Sequence, residues 1–186
     1  MRKKGKLFVI SGPSGVGKDT IVKEYLKNHN GHLSVSATTR LPRKNEVDGK
    51  DYYFLTTNEF KNWIDDGNFL EYAIYNDNYY GTPKSKIDEY LQKGINVFLI
   101  IEVQGGLQIK NKIKNSVLIF ILPPSLDELK QRLLDRNLDS IGIVENRLKI
   151  AEEEIKVSEK YDYLIVNRDV NNSVDKLDMI INEECK

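Results

Sequence analysis

A short apolar run, Leu7-Phe-Val-Ile-Ser11, leads directly into Gly12-Pro-Ser-Gly-Val-Gly-Lys18-Asp19-Thr20, and the helix-like Ile21-Val-Lys-Glu-Tyr-Leu26 follows. This is a Gly-x-x-x-x-Gly-Lys pattern in the context it needs, after a strand and before a helix. The glycines let consecutive backbone N–H groups turn inward around an anion, and the helix N-terminus behind them adds positive partial charge. Gly12, Pro13, Ser14, Gly15, Val16 and Gly17 therefore read as a polyphosphate cradle, with Lys18 reaching the outer phosphates. One residue departs from the pattern. Asp19 stands where a Ser or Thr hydroxyl ordinarily binds Mg²⁺. Three arrangements remain open for the metal: Asp19 directly or through water, Thr20 as a substitute, or phosphates and water largely alone.

The rest of the chain repeats the strand-then-helix theme. Strands are expected over Leu33–Ala37, Asn96–Val103, Val117–Leu122 and Asp162–Asn167, and the runs of Val, Ile, Leu and Phe in the last three suit strands buried on both faces. Thr56-Thr-Asn-Glu59 and Ser125-Leu-Asp-Glu128 are capping boxes, Pro83 reads as a first helical residue, and Gly94 as the stop of that helix. Val144, Leu148, Ala151 and Ile155 make one apolar stripe between Ser140 and Ser158, and residues 173–184 read as a closing amphipathic helix. Such alternation predicts an α/β fold with a parallel sheet and right-handed crossovers. Residues 36–82 interrupt it. They are rich in Tyr, Thr, Asp and Lys, and read as an inserted subdomain of short antiparallel strands with one helix around Glu59–Asp66.

Composition narrows the class further. A length of 186 residues suits one domain, or one core with insertions. The 28 basic and 28 acidic side chains balance, which gives no overall attraction to nucleic acid. The longest apolar run, Val117–Leu122, falls far short of a membrane span, and Leu7–Ile10 is too short for a secretory segment. A single cysteine, Cys185, excludes an internal disulfide and points to a reducing cytoplasm. His29 and His32 have no cysteine or histidine partners nearby and read as surface residues, Trp63 as packing, and Lys110–Lys114 as a solvated helix end.

The segment Val35-Ser-Ala-Thr-Thr-Arg40-Leu-Pro-Arg43-Lys-Asn-Glu46-Val-Asp-Gly49-Lys-Asp-Tyr52 carries two arginines three residues apart and a tyrosine, a set able to grip a second phosphate from several sides. Downstream stand Glu71, Tyr80 and Thr82, and an arginine-bearing stretch with Arg132, Arg136 and Arg147. This run resembles the guanylate kinase family, and the likeness extends from about Lys6 to Ile181. The resemblance implies a P-loop nucleoside monophosphate kinase fold: a five-stranded parallel core sheet with helices on both faces (residues 1–35, 83–124 and 160–186), a GMP-binding subdomain (36–82) and a helical lid (125–159). It implies transfer of phosphate from ATP to GMP or dGMP with Mg²⁺.

By the same resemblance, Arg40, Arg43, Tyr52 and Tyr80 are ligands of the GMP phosphate, with Glu46 orienting Arg40 or Arg43. Ser36, Glu71, Thr82 and Glu102 read guanine. Arg136 and Arg147 close over the triphosphate, and Asn167 contacts adenine; Arg132, one helical turn from Arg136, is placed to add to that cluster. Lys18, Arg40, Arg136 and Arg147 carry the catalytic charge. The chemistry of guanine agrees independently, because its adjacent N1–H and N2–H donors suit one carboxylate such as Glu71, whereas adenine presents an acceptor at N1. Ile100 stands where the family often has an acidic residue. A guanylate-kinase-like module that binds partner peptides is the competing class. The intact Lys18, glycine cradle and paired arginines favour an enzyme, acting on small molecules without nucleic acid or membrane, as a monomer or homo-oligomer.

Overall fold

A computed structural model of the protein describes residues 4–135 and 141–186. β1 (Leu7–Ser11) is buried at every position and passes through the glycine loop into α1 (Lys18–Leu26). There follow β2 (His32–Leu33), β3 (Ala37–Thr38), β4 (Tyr53–Phe54), α2 (Thr57–Asp65), β5 (Phe69–Tyr75), β6 (Asn78–Pro83) and α3 (Ile87–Gln92). The chain continues with β7 (Val97–Ile100), α4 (Val103–Lys112), β8 (Val117–Leu122), α5 (Leu126–Asp135), α6 (Ile141–Lys156), a 3₁₀ turn at Val157–Lys160, β9 (Tyr163–Val166) and α7 (Val170–Glu184).

Five strands form one sheet in the order β2-β7-β1-β8-β9. The β2/β7 and β8/β9 pairs are parallel, and the expected α/β architecture, a five-stranded parallel sheet with helices, is present. Val97–Leu99 and Val117–Ile121 are buried throughout, as parallel strands covered on both faces must be. The chain divides into two compact units, Asn30–Ser116 with the residues up to Val9, and Ile10–His29 with Val117–Lys186.

The first unit holds a second sheet in the order β4-β3-β6-β5. β5 and β6 form a hairpin whose two turn residues, Asn76 (φ 48°) and Asp77 (φ 61°), are both left-handed. That is the turn geometry whose twist matches the flanking strands, and Asn and Asp tolerate it better than other non-glycine residues. β3 and β6 are also antiparallel, but β3 and β4 are parallel, unlike the all-antiparallel insertion expected. Ala37, Phe60 and Phe69 form a small core under this sheet, with Trp63 and Tyr79 packed against it. α2 starts in a complete capping box in which Thr56 and Glu59 exchange hydrogen bonds.

Three expected boundaries are corrected. Leu33–Ala37 is not one strand. The Ser34 N–H donates to Phe98 O at 2.9 Å, continuing the large sheet, while Ser36 O accepts from the Tyr53 N–H at 2.9 Å and belongs to the small one. Pro83 ends β6 instead of starting a helix, opposite Phe69 where the β5–β6 register shifts, an irregularity at which a residue without an N–H is tolerated; α3 begins at Ile87. The strand expected to reach Val103 stops at Ile100, because Glu102 O already accepts the Gly106 N–H and caps α4. The end of α3 is as expected. Gly94 (φ 77°) and Ile95 donate back to Leu91 O and Tyr90 O, the paired bonds of a glycine-terminated helix.

In the second unit the α6 stripe faces inward at Val144 and Ala151. Asp169 caps α7 by accepting the Asn172 N–H at 2.8 Å. His29 stacks on Tyr25 at 4.1 Å and lies 3.3 Å from Asp178; in the first unit His32 stacks on Tyr90 at 3.9 Å. Both imidazoles are engaged in packing.

Candidate active site

The phosphate loop lies in the second unit. Gly12 runs so close to β8 that a Cβ there would sit 2.3 Å from Ile121 O. The Lys18 ammonium donates to Gly12 O at 2.6 Å and Pro13 O at 3.0 Å, so its chain folds across the loop. Arg147 of α6 donates to Ser14 Oγ at 3.2 Å, which brings one of the expected arginines to the loop. Arg132 of α5 donates to Asn167 O at 2.9 Å and pairs with Glu128 at 3.7 Å. Arg136 lies outside the described residues. Asp19 and Thr20 are exposed in the first turn of α1. Asn167 is buried, and its Nδ2 donates to Val16 O at 2.7 Å.

The second cluster lies in the first unit. A cleft of about 320 Å³, counting space open to solvent, is lined by Ser36, Tyr52, Glu71, Tyr80 and Glu102 together with Ile100. Glu71 on β5 and Thr82 on β6 are directly paired across the hairpin. The Thr82 hydroxyl donates to Glu71 Oε1 at 2.6 Å, and Glu71 is only 3% exposed. Burial pushes the Glu71 carboxyl up to about 7; the Thr82 hydrogen bond and the Lys112 charge pull it down, and Glu102 pushes it up. Gly105, in the first turn of α4, leaves room for this carboxylate, since a Cβ there would fall 2.3 Å from Glu71 Oε2.

Arg40 and Glu46 form a fork-to-fork pair, Nη1 to Oε2 and Nη2 to Oε1, both at 2.9 Å. Glu46 also accepts the Arg43 backbone N–H at 2.6 Å, so it orients the Arg40 side chain and anchors the Arg43 main chain. The Arg40 guanidinium lies 5.4 Å from the Tyr52 ring centroid and 5.8 Å from that of Phe54. Burial opposes the charge on both partners. It is the largest single influence on each, but the hydrogen bonds and the attraction between the opposite charges together outweigh it, holding Glu46 below and Arg40 above their ordinary values. Arg43 itself is exposed.

Some residues at these sites carry no motif signal. Lys112 donates to Leu70 O at 2.7 Å and Gln108 to Tyr72 O at 3.0 Å, so α4 side chains cover carbonyls of the edge strand β5. The basic stretch 110–114 is therefore more than a solvated helix end. Phe54 beneath Arg40 and Ser173 beside Asn167 are likewise joined to the sites only by folding.

A parallel α/β sheet, a glycine cradle with its lysine between β1 and α1, and a carboxylate-lined cleft whose Tyr52 stacks with Arg40 define a P-loop protein of the nucleoside monophosphate kinase class. The model of the guanylate kinase family matches residues 4–184. Guanylate kinase from Clostridioides difficile is 52% identical over 183 residues, covering 98% of this chain and 89% of that protein. Guanylate kinase from Clostridium tetani is 49% identical over 185 residues, covering 99% and 89%. The crystal structure of guanylate kinase from Anaplasma phagocytophilum superposes with a TM-score of 0.85 at 36% identity, covering 99% of this chain and 88% of that one. The chain belongs to the guanylate kinase family.

Proposed function

We propose that the protein transfers the γ-phosphoryl group of ATP to GMP or dGMP, giving ADP and GDP or dGDP. The observation that carries this reading is the buried Glu71 carboxylate, held by Thr82 in a cleft lined by Ser36 and Glu102. Ionised, it accepts both guanine donors; against adenine it would meet a lone pair. A buried polar site of this kind supports discrimination on the order of 10⁴-fold. Arg40, fixed by Glu46, takes the acceptor phosphate together with Arg43, Tyr52 and Tyr80.

The acceptor phosphate oxygen attacks the γ-phosphorus in line, and the bond to the β-phosphate oxygen breaks. No protein group forms a covalent bond, so catalysis is positioning and charge stabilisation. Lys18 and the loop N–H groups hold the β- and γ-phosphates, and Arg136 and Arg147 add positive charge as it spreads over the equatorial oxygens. In this reading residues 36–82 bind the acceptor, and residues 125–159 act as a lid whose closure excludes water.

Among the described residues there is no group of three or more His, Cys, Asp or Glu able to hold a metal ion. That suits Mg²⁺, which prefers substrate phosphates, waters and one or two protein oxygens to an all-protein cage. Asp19 and Thr20, exposed in the first turn of α1, are the oxygens that would complete its shell. Held there, Mg²⁺ would supply positive charge to offset the negative charge of the transferring phosphates. No described helix is long and apolar enough to cross a membrane.

ADP formation from ATP and Mg²⁺ with GMP, dGMP, AMP, UMP and dTMP in parallel tests the assignment. Turnover confined to GMP and dGMP is expected. Preference for another monophosphate would keep the kinase and overturn the Glu71 reading.

A further inference from the structure

Asn167 follows β9 and is 4% exposed. Its backbone N–H donates to Leu122 O at 2.8 Å, and its carbonyl accepts from Arg132. Its side chain is engaged at both ends. Nδ2 donates to Val16 O at 2.7 Å, and Oδ1 lies 3.0 Å from the hydroxyl of Ser173, a fully buried residue of α7 that shares its single hydrogen between this oxygen and Asp169 O at 2.8 Å. The orientation of the amide is dictated chemically, because a carbonyl only accepts and Val16 O must therefore face the NH₂ end.

Val16 O belongs to the peptide that carries the Gly17 N–H. In a trans peptide the two point in opposite directions, so a hydrogen bond that fixes one fixes the other. Gly17 is left-handed at φ 98° and ψ 20°, and a Cβ there would lie 2.7 Å from Asn167 Nδ2. The glycine thus serves both the backbone conformation and the close approach of the amide. Reversing this peptide would turn a carbonyl toward whatever the Gly17 N–H now faces, and would strand the buried amide.

We propose that Asn167, oriented by Ser173, is a positioning residue that pins the Val16–Gly17 peptide so that the Gly17 N–H faces the donor phosphates. It then governs affinity for the triphosphate whatever base is attached, which differs from the adenine contact that the family resemblance implies. The inference rests on the phosphate-loop reading above. In Asn167→Asp a carboxylate faces Val16 O and the donor is lost; in Ser173→Ala the amide loses its orienting partner. Dissociation constants for ATP, GTP and inorganic tripolyphosphate, measured by calorimetry on full-length variants of native circular dichroism, separate the roles.

Asn167→Asp is expected to weaken all three ligands by a common factor of about tenfold or more, and Ser173→Ala by a smaller common factor. In steady-state assays KM for ATP rises while KM for GMP stays within about twofold, a split that general structural damage would not produce. Loss of ATP affinity with tripolyphosphate unchanged would overturn the proposal and restore the adenine contact. Unchanged binding of all three in both variants would overturn it as well. Failure of the unmodified protein to bind either ATP or tripolyphosphate would instead remove the phosphate-loop reading on which the inference stands.

Discussion

Glu71 and Glu46 lie in the same unit, yet their carboxyls shift in opposite directions. Glu71 is buried beside a neutral hydroxyl and rises from 4.5 to about 7, so its contribution to stability is complete below pH 4.5 and is lost as pH rises to about 7. Glu46 is held below 4.5 by Arg40, so its contribution is present above pH 4.5 and is lost as pH falls through its lowered value. In the proposed role, Glu71 accepts from guanine only in its ionised form. We predict that kcat/KM for GMP falls as pH drops through about 7, and that Glu71→Gln removes this acid limb while lowering GMP efficiency by about 10²-fold or more. A pH-rate profile of both proteins checks it; an unchanged limb in the variant would assign the titration elsewhere. Lys18→Ala is expected to lower turnover by about 10²- to 10³-fold with native circular dichroism. Arg40→Lys cannot reproduce the bidentate fork to Glu46, and KM for GMP should rise by about tenfold or more.

At the scale of elements, the cleft around Glu71 depends on how the β5–β6 hairpin is held. α4 contributes Gln108 and Lys112 to β5 carbonyls, and Lys112 is also the charge that lowers Glu71. Lys112→Met removes that charge, and the acid limb of kcat/KM for GMP should move to higher pH; a limb that stays in place would show the charge to be screened. The helix α2 rests on its capping box and on Phe60, which stacks on Phe69 at 4.4 Å. Thr56→Ala should cost about 1 kcal/mol, read as a fall in Tm of about 2–4 °C.

For the molecule as a whole, ligands that bind only the folded state raise its stability by mass action. GMP at about 100 times its dissociation constant should raise Tm by about 5–10 °C, and AMP at the same concentration should not. The GMP shift should grow as pH rises through about 7, because binding then relieves an ionised buried carboxylate. Thermal melts with each monophosphate at two pH values check both statements.

The parts of this protein legible from residue order are those whose geometry is local. The phosphate loop is a conformation of consecutive backbone, with glycines at the required spacing, and the Arg40–Tyr52 motif gathers its candidate phosphate-binding residues into one short stretch. β1 and β8 were legible because full burial leaves a continuous apolar run. Partnership across distance was not. Nothing in Leu33–Ala37 announces that the strand changes sheets between Ser34 and Ser36, because backbone N–H and C=O groups are alike at every residue and their partners are chosen by folding. Pro83 reads equally well as a helix start or a strand end. Glu71 could be proposed from the family resemblance, with which guanine chemistry agrees, but its pKa is raised by burial and by Glu102 and tempered by Thr82, eleven residues away, and by Lys112 of another element. The Val16 contact of Asn167 spans 151 residues. Local chain geometry is encoded in neighbouring residues, whereas desolvation and long-range hydrogen bonding exist only once distant segments are packed together.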